Sequence, residues 1–348
     1  MTLAVLGDPQ AVAAAGHAAA RTGERVLLGL SAGDGHVHTR TTGLFEAGVD
    51  VRPVAEPDAE AYLLICTSAG LESVLAQHRD RLAGRPLLLA PGGFAGAIRV
   101  RTLFERWGLP IPLVGETSGF PVMGSAVGAE IMIRAVKRQL PVAGLDDEAT
   151  AELLRVFTPS YGDLVGSDLV TTSLSNTNHM LHPAITVVNA ARIARGEDFT
   201  FYRQGLAPEL NALIEALDEE RLAVVHALGG QALTVTEWLL RFYGTGPDAM
   251  RGDRIIDCLV GYRPFERSAA PTTLDHRYLT DDVPYGAAAH LAVSEALGLA
   301  APVTRGIVTT ASLLLGRDLT TPPQVVQEFF DRAVHRRELV PTDHRGAS

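Results

Sequence analysis

An alternation that runs through the first half of the chain and then stops sets the limits on how it can fold. Residues 2–7 are an apolar run ending at glycine, residues 11–21 are alanine-rich with strong helix propensity, and residues 25–30 are a second apolar run. Together they spell a β-α-β unit. Further short apolar runs at 61–66, 86–90 and 111–115 have helix-like segments at 71–82 and 98–107 between them. Strands alternating with helices imply a parallel sheet covered on both faces. Beyond about residue 165, helix-like stretches at 183–195, 208–228, 235–243, 286–297 and 303–315 follow one another without strands. The expected architecture is an α/β Rossmann-like parallel-sheet domain at 1–165 and an all-α domain at 166–348. Residues 262–273 read as a loop and 341–348 as a mobile polar tail.

Composition narrows the function classes. The chain has 348 residues, roughly two domains' worth at about 150 each. Hydrophobic residues make up 47% and charged residues 20%, so a core can form and disorder is not expected. The net charge of −10 disfavours nucleic acid and anionic membranes as partners. Cys66 and Cys258 lie far apart and outside any C-x-x-C pair, so neither a disulfide framework nor a thiolate metal site is expected, and a reducing cytoplasm fits. The first strand begins too early to leave room for an export leader. The longest stretch free of Asp, Glu, Lys and Arg, 169–191, is too rich in Ser, Thr, Asn and His to span a membrane.

A first strand, a glycine and a helix ordinarily carry G-x-G-x-x-G, whose glycines admit a pyrophosphate to the helix N-terminus. The corresponding run here is Gly7-Asp8-Pro9-Gln10-Ala11-Val12. Pro9 removes an N–H at the position of close approach, and Asp8 brings negative charge to it. The second strand ends Leu28-Gly29-Leu30-Ser31, without the acid that would hold a ribose. Ser31, followed by Gly33 and Arg40, is suited instead to a 2′-phosphate. Two readings stand: a dinucleotide site with a preference for NADP over NAD, or a β-α-β unit serving only as scaffold. A second turn, Ala90-Pro91-Gly92-Gly93, follows another strand and either lines a ligand crevice or is simply tight.

The uncharged stretch holds Ser175-Asn176-Thr177-Asn178-His179-Met180-Leu181-His182-Pro183 and then Asn189. On a helix, 178, 182, 185 and 189 share a face, so Asn178, His182 and Asn189 form a polar stripe in apolar surroundings. Pro183 either starts the helix or kinks it and frees the carbonyl of His179. Asn178 with His182 makes an acid/base pair, the alternative being a core histidine with satisfied nitrogens. His36 and His38 read as loop residues, with no third ligand for a metal. The second cluster runs from Asp275 to Gly286. Arg277 offers a planar fork for a carboxylate and Asp282 can orient a histidine, the alternative being a solvated loop that caps the next helix.

The run Ser175-Asn176-Thr177-Asn178 through His182-Pro183 to Asn189, with Arg277-Tyr278-Leu279-Thr280-Asp281-Asp282-Val283-Pro284-Tyr285-Gly286, resembles the octopine/nopaline (opine) dehydrogenase family. Residues 199–208, 218–229, 234–246 and 314–319 are similar as well, as are the sheet-edge turns 90–93 and Gly115-Glu116-Thr117. The resemblance implies an oxidoreductase that joins the amino group of an amino acid to a 2-keto acid as an imine and reduces it with a nicotinamide hydride. It also implies His182 as proton relay, oriented by Asn178 or Asp282, with Arg277, Tyr278 and Asn176 binding substrate. Gly7, Gln10, Ser31, Pro91, Gly92 and Glu116 would line a site for NADP or NAD. The departures at Asp8, Pro9 and Val12 leave an alternative: a cofactor-independent enzyme on the same scaffold, catalysing condensation, cyclisation, isomerisation or elimination. The expected partner is a small molecule with carboxylate and amine groups, and the apolar residues at 303–315 suit a homodimer contact or core.

Overall fold

The computed structural model describes residues 1–30, 36–244, 249–322 and 324–339, so Ser31 and the tail at 341–348 lie outside the described residues. Eleven strands occur among the described residues: β1 (Leu3–Gly7), β2 (Val26–Leu30), β3 (His38–Gly43), β4 (Ala47–Pro53), β5 (Ala61–Ile65), β6 (Pro86–Leu89), β7 (Leu113–Thr117), β8 (Val122–Val127), β9 (Glu130–Val136), β10 (Leu140–Gly144) and β11 (Leu164–Gly166). They form one sheet in the order β11-β10-β7-β6-β5-β1-β2-β4-β3-β9-β8. Its centre, β7-β6-β5-β1-β2-β4, is parallel throughout. This is the Rossmann-like core, and its strand order reverses between β1 and β5.

Side-chain alternation along the strands sorts the core into two layers. Leu3 and Val5 pack beneath helices Ala11–Thr22 and Asp147–Tyr161, while Ala4 and Leu6 face helices Leu71–Leu82 and Gly96–Trp107. The alanines of the first helix let it lie close to the sheet, and Ala11, Ala13, Ala14, Ala15 and Ala18 are fully buried.

The sheet is not wholly parallel, which corrects the expectation. Antiparallel pairing joins β3 to β4, β8 to β9 and β10 to β7. Of these, β9 escaped the search for apolar runs because it buries one side only. In β9, Ile131 and Ile133 are buried while Glu130, Met132 and Arg134 are exposed, the alternation of a sheet with one wet face. His38, expected in a loop, instead opens β3, buried, with Nδ1 3.1 Å from the carbonyl of Gly128. Arg40 reaches Glu46 at 2.7 Å and Glu130 at 3.7 Å on the strand surface.

From Leu169 onward the described chain is helical. Asp168 caps helix Leu169–Leu174 by accepting from the Thr171 amide at 2.9 Å. Helix Asn178–Val188 runs through Pro183 rather than starting there, and it ends at Asn189, whose side-chain amide donates to the carbonyls of Ile185 and Gly205. Helices Leu210–Ala227, Val235–Tyr243, Ile255–Gly261, Ala288–Ala296 and Pro302–Leu315 surround it. In the last of these, Ile307, Val308 and Ala311 are core, while Leu313 is exposed.

Gly7 shows how tightly the strand-reversal point is built. Its φ is +121°, and a Cβ there would lie 1.8 Å from the carbonyl oxygen of Ile65 on β5. Gly7→Ala is therefore expected to cost about 3 kcal/mol or more of stability, read by denaturant unfolding. An unchanged unfolding midpoint would show that this approach is not a fixed feature of the fold.

Candidate active site

The helix carrying His182 turns Met180, Leu181, Ala184 and Ile185 into the helical core and holds His182 itself only 5% exposed. Its ring has a partner on each nitrogen. Nδ1–H donates to Oδ2 of Asp282 at 2.7 Å, and Nε2 accepts from the hydroxyl of Tyr202 at 2.9 Å. Because a carboxylate only accepts here and a phenol can donate, the two contacts specify the tautomer. The Tyr278 ring stacks on the imidazole with centroids 3.9 Å apart, which fixes its plane.

Burial pushes the His182 imidazole below its ordinary value, and the hydrogen bond and charge of Asp282 only partly offset this. For Asp282, burial pulls upward, but the His182 hydrogen bond and the nearby Arg277 charge outweigh it and hold the carboxyl low. The resting pair is thus a neutral imidazole against a carboxylate, a base ready to take a proton and stabilised once it has one. His179 sits behind it, with Nε2 accepting from the Asn176 side chain at 3.1 Å, and burial pushes this second imidazole down to about 4.

Orientation of His182 by Asn178 is not what the geometry provides. Both ring nitrogens are occupied by Asp282 and Tyr202, and Asn178 opens the helix with its amide donating to Oδ1 of Asn176. Asn176, Asn178, His182, Tyr202, Arg277 and Tyr278 line one cleft of about 290 Å³ that Gln10 and Pro91 close from the sheet side. Arg277 has a buried Nε without a hydrogen-bond partner, the state of a fork awaiting a carboxylate. A larger hollow of about 890 Å³, lined by His17, Arg21 and Tyr161, adjoins the cleft through Arg134, Lys137 and Tyr243 and lacks His182 and Arg277.

Glu116 is placed differently from expectation. It is fully buried and accepts from the Ala97 amide at 2.9 Å, the Ser173 hydroxyl at 2.6 Å and the Thr172 hydroxyl at 3.0 Å. The carboxylate is a rivet between sheet and helical halves rather than a cofactor ligand. Gly92 is small because a Cβ there would come within 2.4 Å of the Glu116 side chain.

Two cleft residues escaped sequence reasoning. Tyr202 falls in the segment 199–208, which carried no role beyond similarity. Lys137, just past β9, also lines the cleft, and it carries a signal that a residue count supplies: it is the only lysine in the chain, every other basic residue of the 30 Lys+Arg being arginine. Among the described residues no group of three His, Cys, Asp or Glu side chains is arranged to hold a metal, and no helix is long and apolar enough to cross a membrane.

A Rossmann-like sheet joined to a helical region, with a buried histidine–aspartate pair and an arginine whose Nε lacks a partner at the cleft, is the architecture of two-domain dehydrogenases. Residues 165–315 match the family described as NAD/NADP octopine/nopaline dehydrogenase, alpha-helical domain. An opine dehydrogenase of Arthrobacter sp. (strain 1C) is 27% identical over 282 residues, covering 79% of this chain and 76% of that protein. Protein ocs of Agrobacterium tumefaciens (strain Ach5) is 26% identical over 286 residues, 78% of this chain and 77% of its own. Among solved structures, octopine dehydrogenase in complex with NADH and agmatine superposes with a TM-score of 0.69 at 15% identity over 100% of both chains. NADP+-bound yersinopine dehydrogenase superposes at 0.70 and 14% identity, over 98% of this chain and 99% of that one. Residues 165–315 thus resemble the helical domain of the opine dehydrogenase family, and the fold as a whole matches that of solved opine dehydrogenases.

Against that background the edge of the sheet can be tested for a dinucleotide. The amides of Ala11, Val12 and Ala13, which would face a pyrophosphate, donate instead to the carbonyls of Asp8, Pro9 and Gln10 at 2.8, 3.4 and 3.3 Å. The Asp8 amide turns back to Ile65 at 2.8 Å. Across the crevice, Oδ1 of Asp281 accepts from the Ala69 amide at 2.8 Å, with the Ser68 amide also bonded to this carboxylate. The Asp8 and Ala11 amides are already taken, Pro9 has none to offer, and carboxylates stand on both walls. Residues 7–10 do not fit a pyrophosphate in the manner of a glycine-rich loop.

Asp282→Asn removes the charge that pulls the His182 imidazole upward, so this histidine should remain neutral to a lower pH than in the native protein. Histidine NMR titration reads this, and an unchanged or higher titration midpoint would show that the carboxylate does not act on His182.

Proposed function

We propose that the protein joins the amine of an amino acid to the carbonyl of a 2-keto acid, releasing water and an imine, in the cleft around His182. The observation that carries this reading is the neutral imidazole held between Asp282 and Tyr202, next to a guanidinium with an unpartnered Nε. Arg277 receives the keto acid's carboxylate and fixes where its carbonyl lies. As the amine attacks, its surplus proton passes through the Tyr202 hydroxyl to Nε2 of His182, and the imidazolium is held by Asp282. That proton passes on to the former carbonyl oxygen to give the carbinolamine, and the second N–H proton follows by the same relay as the oxygen leaves as water and the neutral imine forms. In this reading, residues 1–165 are the scaffold that closes the cleft with Gln10 and Pro91, and 166–348 supply the chemistry.

Similarity to opine dehydrogenases favours a second reading, in which the imine is then reduced by a nicotinamide hydride, since similar structures have been solved with NADH and with NADP+. The occupied amides of Asp8 and Ala11 and the proline between them favour the condensation alone. Calorimetric titration with NADH and with NADPH separates the two. Millimolar-range or absent binding is expected, and micromolar binding of either would move the assignment to the complete reductive reaction.

Condensation itself is read by protein-dependent formation of the secondary amine when amino acids and 2-keto acids are mixed with cyanoborohydride. His182→Ala should lower that rate by about 10²- to 10⁴-fold with the fold intact. Arg277→Ala should mainly raise the apparent Michaelis constant for the keto acid, by about 10- to 100-fold. Near-native turnover without His182, or unchanged saturation without Arg277, would remove that residue from the mechanism.

A further inference from the structure

Lys137 is used by none of the steps above, yet its surroundings are specific. The residue is 4% exposed, and its ammonium-bearing end lies over the rings of Trp238, Phe242 and Tyr243 at 4.5, 5.3 and 5.9 Å from their centroids. Nζ rests against the turn after β7, where a Cβ on Gly119 would come within 2.5 Å of it. Gly119, Trp238 and Tyr243 line the same cleft as His182 and Arg277, so the amine stands at the wall of the candidate active site.

Everywhere else the sequence meets its need for a positive charge with arginine. A buried charge resting on aromatic faces suits a guanidinium at least as well as an ammonium, because the planar group stacks and is weakly hydrated. What a lysine supplies and an arginine cannot is a nucleophilic primary amine.

We infer that Lys137 is a carbonyl-reactive amine that forms a Schiff base with the 2-keto acid before the amino acid takes its place. The inference rests on the condensation reading for the identity of the carbonyl compound. Burial pushes the Lys137 amine down to about 7, so both the free amine and the ammonium are present near neutral pH.

The step balances without an oxidant or a reductant. The free amine of Lys137 adds to C2 of the keto acid, forming a C–N bond, and the carbonyl oxygen gains a proton. That oxygen leaves as water with a second proton from the Tyr202–His182 relay, giving a protonated Schiff base. The amine of the amino acid then adds to C2 and gives up both its protons through the relay, one restoring the relay and one going to Nζ as the C–N bond to Lys137 breaks with its electron pair returning to that nitrogen. The products are the free lysine and the imine of the two substrates, and one water has been lost overall. A cationic Schiff base is a better electrophile than a ketone, which is the advantage of the covalent route.

The absence of other lysines makes the test clean, because Lys137 and the N-terminal amine are the only primary amines in the chain. The native protein is incubated at pH 7 with pyruvate, glyoxylate or 2-oxoglutarate, without an amino acid, then treated with borohydride and mapped by peptide mass spectrometry. The expected result is one adduct at Lys137, heavier by the keto acid less one oxygen, formed at least tenfold faster than at the N-terminus. It should be lost in Lys137→Arg, which keeps the charge, and slowed in Arg277→Ala, which keeps the amine. An adduct confined to the N-terminal amine would overturn the inference and leave condensation standing. An adduct at Lys137 with no amino acid able to discharge it would instead overturn the condensation reading and leave the reactive lysine.

Discussion

The bond between Nδ1 of His182 and Asp282 is the contact on which the site depends, because it ties segments 100 residues apart and sets a protonation state where burial disfavours an unpaired charge. A buried carboxylate without a partner is costly, and so is a buried imidazolium. Together they settle as carboxylate and neutral ring, the one arrangement that leaves a basic nitrogen pointing away from the acid. That nitrogen meets Tyr202, and the Tyr278 ring lies flat against the imidazole. The helix through Pro183 and the irregular turn at 283–287 bring the two partners to this distance.

A second buried carboxylate does comparable work between the halves. Glu116 sits at the end of β7 and accepts hydrogen bonds from the start of helix Gly96–Trp107 and from two side chains of helix Leu169–Leu174. Burial pushes its carboxyl up and these donors pull it down. The seam it closes presents Gln10 and Pro91 of the sheet edge to His182 of the helical half. Asp281 makes a related contact on the loop after β5. The helical domain therefore reaches into the crevice where the strand order reverses, the place in such sheets where ligands ordinarily bind. At that crevice the Asp8 and Ala11 amides are spent within the protein, while His182 and Arg277 line the cleft beside it.

Much of this was legible in the residues. The parallel core of the sheet and the change to helices near residue 165 follow from apolar periodicity that neighbouring residues create, whereas the grouping of His182, Arg277 and Asp282 came from the family resemblance, local patterns leaving a core histidine and a capping loop equally open. The strands β8 and β9 were not legible, because Gly124 and Ser125 interrupt the one and Glu130 and Arg134 bound a run of only three apolar residues in the other. Tyr202 was not legible either, since one aromatic residue beside Phe201 reads as core until its hydroxyl is seen against a histidine.

By itself the sequence determined which chemical groups were available and in what order: one lysine, an uncharged stretch with two histidines, an arginine ahead of two aspartates, and a proline where a glycine-rich turn is expected. Only the tertiary structure decided which groups face one another. Asp282, not Asn178, orients His182, Glu116 is consumed as a rivet, the amides at 11–13 are satisfied by their own turn, and Lys137 is set in aromatic rings at the cleft wall. The reason is physical. Local propensity acts over a few residues through the backbone, whereas protonation and partnership depend on distance and on exclusion of water, and both are set by packing between segments remote in the chain.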